Sequence, residues 1–221
     1  MFSKSIFSPA ALLALCSSVT ALSIPAQLQL ADTAVDRYQI LPKNEDFVFD
    51  FNTAPFPMAN RQTFPALVGT NIAMAITAIE ACSMASLHIH PRSAEILVVL
   101  QGRVLTEMIP EGGVLDTTDP DNVKPRVIRN ELTANQTTIF PQGSFHAQMN
   151  PDCTPAFAVA AFSSEDPGAA LVLPQAFEQP DEFVLNSFGG ALSAKDLARF
   201  RAAVPQTPFF DVKACRKRCG L

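Results

Sequence analysis

His88, His90 and Glu95 fall within eight residues, in the stretch HIHPRSAEILVVLQG from His88 to Gly102. Residues i and i+2 of a β-strand share a face, so a strand here aims both imidazoles at one point. Pro91 ends or kinks that strand, and Glu95 opens the apolar run ILVVL, which reads as a buried strand closed by Gly102 at a turn. Two imidazoles and a carboxylate converging on a strand–turn–strand corner form an incomplete metal shell. The chain has three histidines in all, and the last, His146, lies in FPQGSFHAQMN, a second strand–turn context that completes the shell. Three neutral imidazoles and one carboxylate suit a borderline divalent metal, and Mn, Fe, Co, Ni, Cu and Zn are all admitted. A dication with one ionised Glu carries about one net positive charge, which suits a small anionic ligand.

Strands are needed to position these residues. Short runs rich in branched residues, separated by Pro or Gly, predict strands near Ile72–Ile79, Ala85–His90, Glu95–Leu100, Arg103–Ile109, Arg126–Leu132, Thr137–Phe140, Phe145–Asn150 and Ala156–Ser163. Such spacing indicates an antiparallel sandwich or barrel. Phe47–Phe51 alternates aromatic and non-aromatic residues and predicts a first strand, and Val35–Ile40 a short helical turn. Phe140, Phe145, Phe157 and Phe162 are candidates to line the barrel, while Ile89 points away from the two histidines that flank it. Residues 110–125 are acidic and turn-rich and form a loop; Glu111, Asp116, Asp119 and Asp121 lack the spacing of an EF-hand calcium site. After Pro174 the pattern turns helical, with one helix opening at Pro180-Asp181-Glu182 and another capped at Ser193.

With 221 residues, 48% hydrophobic and 17% charged, the chain suffices for one sizeable domain. A net charge of −5 without a long basic run argues against nucleic acid as a partner. No apolar run reaches the ~18 residues of a membrane span. Residues 1–21 read as a secretory signal, with Lys4, the apolar stretch Ala10–Cys16 and small residues before a cleavage point after Ala21. Secretion leaves Cys82, Cys153, Cys215 and Cys219, an even number in an oxidising route. Three pairings exist. Cys82 and Cys153 lie at similar distances along strand from His88 and His146, hence at one end of the barrel, so Cys82–Cys153 with Cys215–Cys219 is the expected set. Asn135-Gln136-Thr137 is a glycosylation sequon.

The two histidine stretches together resemble the paired motifs of the cupin superfamily. HIHPRSAEILVVLQG matches H-x-H, four residues, Glu, six residues, Gly; Pro141, Gly143, His146 and Asn150 match the second motif. The wording is similar to germins and spherulin-like secreted cupins over roughly residues 45–205. Both motifs usually open with a turn glycine, where this chain has Cys82 and Asn135. The resemblance implies an all-β cupin jelly-roll β-barrel with short C-terminal α-helices. The division is then a signal at 1–21, an N-terminal extension and first strand at 22–60, the barrel at 61–170, and a helical segment with a cysteine-bearing tail at 171–221. It also implies manganese, six-coordinate, with two positions left open by His88, His90, Glu95 and His146. A homo-oligomer, extracellular location and redox activity on superoxide or oxalate are implied too. Germin oxalate oxidases carry Asn just ahead of the first His, where this chain has Ala85-Ser86-Leu87, so oxalate ranks below other redox activity. Spherulin-like cupins imply the alternative of a non-enzymatic stress or wall protein.

Overall fold

A computed structural model describes residues 22–221; the expected signal at 1–21, with Cys16, lies outside the described residues. The strands are β1 (Met58–Ala59), β2 (Ala73–Ile79), β3 (Ser83–Ala85), β4 (His88–Ile89), β5 (Glu95–Gln101), β6 (Arg103–Ile109), β7 (Leu115–Asp116), β8 (Lys124–Pro125), β9 (Ile128–Thr133), β10 (Thr137–Phe140), β11 (Phe145–Met149), β12 (Ala156–Phe162), β13 (Ala170–Leu171) and β14 (Phe209–Asp211). They form two antiparallel sheets, one ordered β1-β2-β12-β5-β10 and one of seven strands in which β11 lies between β6 and the broken pair β3/β4. The sheets face each other as a jelly roll. Strict alternation along β5 and β12 turns Leu97, Val99, Ala158 and Ala160 inward, where they meet Val104 and Leu132 of the opposite sheet.

Chain crossings between the sheets rest on turns. Gly102 joins β5 to β6 with φ +82°, and a Cβ there would lie 2.8 Å from the Ala156 side chain, so only glycine fits. The two motif positions that lack glycine still adopt the glycine conformation: Cys82 has φ +56° and Asn135 φ +68°. Asn tolerates this region. Cys82 is held in it by bonds from its own N–H to the Asp152 carbonyl and from the Val212 N–H to its carbonyl.

Several expectations are corrected. Phe47–Phe51 is no strand: Asn44–Phe47 is a 3-10 turn, in which the Asp46 carboxylate accepts from the Lys43 N–H, and Asp50 likewise caps Asn52. The aromatic alternation there serves ring contact, Phe49 against Phe51 edge-on at 4.8 Å. The single strand expected at Ala85–His90 is broken at Ser86 and Leu87, because Ser86 bonds outward to Pro208 and Thr207 instead of along the ladder. The 110–125 loop carries a two-stranded ribbon, β7 with β8.

Helices α1 (Ile24–Leu30) and α2 (Ala34–Ile40) precede the sheets, the second opened by a capping box between Thr33 and Asp36. After β13 come α3 (Val172–Phe177), α4 (Asp181–Ser187) and α5 (Ala194–Ala203), which bury Phe177, Val184 and Leu197 among themselves. The last segment is not a loose tail. Phe209–Asp211 pairs with β3 as an added edge strand, and α6 (Lys213–Cys219) follows it.

The disulfides are Cys82–Cys215 and Cys153–Cys219, overturning the expected pairing. Cys82 and Cys153 do lie at one end, but a helix separates Cys215 from Cys219 by one turn and points both the same way. Each therefore meets a barrel cysteine instead of its helical neighbour.

Candidate metal centre

The histidine-bearing sheet brings three imidazoles together by register. His146 on β11 is the direct cross-strand partner of His88 on β4, and His90 lies two residues further along the same face. Glu95 comes from the facing sheet, at the start of β5, and points inward between its cross-strand neighbours Phe140 and Phe162. Ligand atoms of His88, His90, Glu95 and His146 all lie within 4.8 Å of one another.

Each imidazole has one nitrogen committed. The Nδ1 of His88 is 2.6 Å from the Ser86 carbonyl, that of His90 2.5 Å from the Gly168 carbonyl, and that of His146 2.9 Å from the Ser144 carbonyl. Carbonyls only accept, so Nδ1 carries a proton and donates in all three. Nε2 is then left to face the centre, the arrangement by which neutral imidazoles ligate metals. Glu95 Oε2 lies 2.8 Å from His90 Nε2 and 3.3 Å from His146 Nε2. The donor set fits a divalent transition metal: three oriented imidazoles and one carboxylate, with their second shell already made.

Charge states follow from burial and neighbours. Burial, then the adjacent His146, pushes His88 down to about 4, so it is neutral at physiological pH. Burial alone would raise Glu95, but hydrogen bonds from His146 and His90 outweigh it and hold the carboxyl at about 2. Burial likewise works against a charged His90, yet the Glu95 hydrogen bond and the Gly168 carbonyl raise it above its ordinary value.

Two aromatic rings brace the cluster. Phe140 stacks on His146 at 4.3 Å, and Phe162 meets His90 edge-on at 4.8 Å. Phe145 and Phe157, also expected inside, face outward, each about two-fifths exposed. Parity decides this: Phe145 adjoins inward-facing His146, and Phe157 is five residues from inward-facing Phe162. The backbone carbonyls of Ser86, Ser144 and Gly168 were not read from the sequence, since carbonyl roles have no residue signature. Gln148, buried two residues beyond His146, carried a usable signal because it shares that face. Asn135 of the sequon is exposed in the turn between β9 and β10.

Fold and site together define a cupin, and the chain belongs to that family: the family profile described as Cupin matches residues 43–195. Spherulin-1A of Physarum polycephalum is 33% identical over 217 residues, covering 93% of this chain and 82% of that protein. A putative germin-like protein 9-2 of Oryza sativa subsp. japonica is 33% identical over 131 residues, 57% of this chain and 56% of that one. Among solved structures, an oxalate oxidase superposes with a TM-score of 0.55 at 21% identity, covering 73% of this chain and 84% of that one, a likeness of fold.

Proposed function

We propose that this protein binds one divalent transition metal, manganese first, through His88, His90, Glu95 and His146, and uses it for redox chemistry on a small anion outside the cell. The observation that carries the reading is the common orientation of the three imidazoles, each Nδ1 tied to a carbonyl, with Nε2 of His90 and His146 meeting Glu95 and the ligand atoms of all four residues within 4.8 Å of one another. The bound metal would supply redox cycling and open coordination positions. The chain's own contribution is to hold four donors in place and, through Phe140 and Phe162, to keep bulk water off their flanks. Superoxide is favoured over oxalate, because Ala85-Ser86-Leu87 offers no side-chain amide beside His88. Superoxide and oxalate assays on the manganese-loaded protein test this: activity on superoxide that disappears in His90→Ala is expected, and inactivity of a fully loaded protein on both anions would contradict it.

Secretion, with a glycan on Asn135, fits the two disulfides. A homo-oligomer is supported by the outer face of the five-stranded sheet, where Met74, Ile96, Leu100, Ile139 and Phe157 are exposed together. Sedimentation at micromolar concentration should show an oligomer, and a monomer would refute it.

A second reading is a non-enzymatic stress or wall protein with the metal as a staple. Its support is the extent of the match to Spherulin-1A, 93% of this chain, and the covalent closure of one end of the sandwich. A loaded protein without redox activity, whose melting temperature rises on metal binding, would favour it.

A further inference from the structure

Beside the metal residues lies a cavity of about 280 Å³, reached by His88, His90 and Glu95. That is room for roughly nine waters at ~30 Å³ each, far more than a diatomic anion occupies. Its walls come from both sheets and from both chain ends. Leu97, Ala160 and Phe162 form the inner side, Phe56 the N-terminal side, and Pro208 and Phe209 the C-terminal side.

The lining is apolar with few exceptions. Thr77, Gln148 and Asn60 are its uncharged polar side chains, and apart from the histidines its only ionisable ones are the carboxylates Glu95 and Asp166. No lysine or arginine lines it among the described residues. Asp166 is itself paired with Arg92 at 3.0 Å, so that guanidinium is committed. A dianion such as oxalate would place a second carboxylate against apolar walls with no cation to meet it, a costly desolvation. One carboxylate, by contrast, has a place at the metal residues, and Gln148 offers a single amide beside them. Apolar walls with a few convergent polar groups are the usual make-up of a site for a ligand with an apolar body.

We propose that this cavity takes an apolar monocarboxylate, its head toward His88, His90 and Glu95 and its body along Leu97, Ala160, Phe162 and Phe209. The inference rests on the metal-binding part of the reading above and adds a second class of ligand to the small anion proposed there, an anion with a hydrophobic body. Phe209 belongs to β14, which is fixed to β3 by pairing with Ala85 and lies just before the disulfide-bonded helix α6. The C-terminal segment thus supplies a permanent wall.

The test is calorimetric titration of the full-length manganese-loaded protein with hexanoate, phenylacetate, acetate and oxalate, alongside the manganese EPR spectrum. Hexanoate should bind about a hundredfold or more tighter than acetate, from its additional methylenes, and should perturb the EPR signal. Ala160→Leu fills the cavity and should weaken hexanoate and phenylacetate at least tenfold while leaving acetate and bound metal unchanged. Phe209→Ala, at a half-exposed edge position, should weaken the same two ligands several-fold and guards against a misfolded core variant. Oxalate binding more tightly than hexanoate would overturn the inference with the metal reading intact, as would hexanoate affinity indifferent to both substitutions. A protein that takes up no metal would overturn both.

Discussion

The two ends of the sandwich are fixed by opposite means. At one end Cys82 and Cys153 are tied covalently to α6, with the Cys82 and Cys219 sulfurs 3.5 Å apart across the two bridges. At the other, three histidines are held by hydrogen bonds to the carbonyls of Ser86, Ser144 and Gly168, two phenylalanine rings brace His146 and His90, and Glu95 meets the same two imidazoles. The same strands connect the ends, since Cys82 precedes His88 by six residues and Cys153 follows His146 by seven. The cross-linked end contributes stability without specificity. The open end contributes a polar geometry, in which Glu95 is buried among three histidines and held charged by two of them. Separating the two duties lets the site stay open beside a cavity while the fold is secured elsewhere.

The largest break in this contrast is at the ligands. His90→Ala should lower metal affinity at least about a hundredfold, measured by competition with a chelator, with little change in the far-ultraviolet circular dichroism. Glu95→Gln should cost about tenfold or more in affinity, and in the metal-free protein it should lower stability, because it removes the carboxylate that His90 and His146 hold in its charged form. An unchanged affinity in that variant would show that the carboxylate is no ligand.

Next in size is the cross-linked end. The bridges close separations of 133 and 66 residues. On the chain-entropy model each is worth about 4–5 kcal/mol, and because the loops overlap the two do not add. Cys153→Ser with Cys219→Ser should lower the melting temperature by roughly 10 °C, yet leave metal stoichiometry unchanged. Loss of metal in that variant would erase the distinction between the two ends.

The smallest effect concerns pH in the metal-free protein. His88, depressed to about 4, is protonated in the unfolded chain from its ordinary value of 6.5 downward, so its contribution is present above pH 6.5 and lost as pH falls toward 4. Glu95, depressed to about 2, contributes above its ordinary 4.5 and loses that contribution as pH falls toward 2. His90 is raised, so its contribution is complete below 6.5 and fades only above it. Thermal melts of metal-free protein should therefore drop on acidification from pH 6.5, and less steeply in a His88→Gln variant. Parallel curves for the two would contradict the assignment.

Much of this was legible in residue order. Spacing of two between His88 and His90 fixes a shared strand face, and the Glu95 run and Gly102 mark the next strand and its turn. Face parity also places Phe145 and Phe157 outside, one and five residues from the inward-facing His146 and Phe162. What stayed hidden was long-range. Nothing local announces that Phe209–Asp211 pairs with β3, and the disulfide pairing turns on whether Arg216-Lys217-Arg218 is helical or a tight ring. The break at Ser86 has the same origin, since its partners Thr207 and Pro208 lie more than a hundred residues away.

The central claim is most directly tested by elemental analysis of protein secreted into manganese-containing medium, for the native chain and His146→Ala side by side. The account predicts close to one manganese per native chain and almost none in the variant, with both remaining folded. Equal metal content in the two, or none in the native protein after manganese loading, would contradict it.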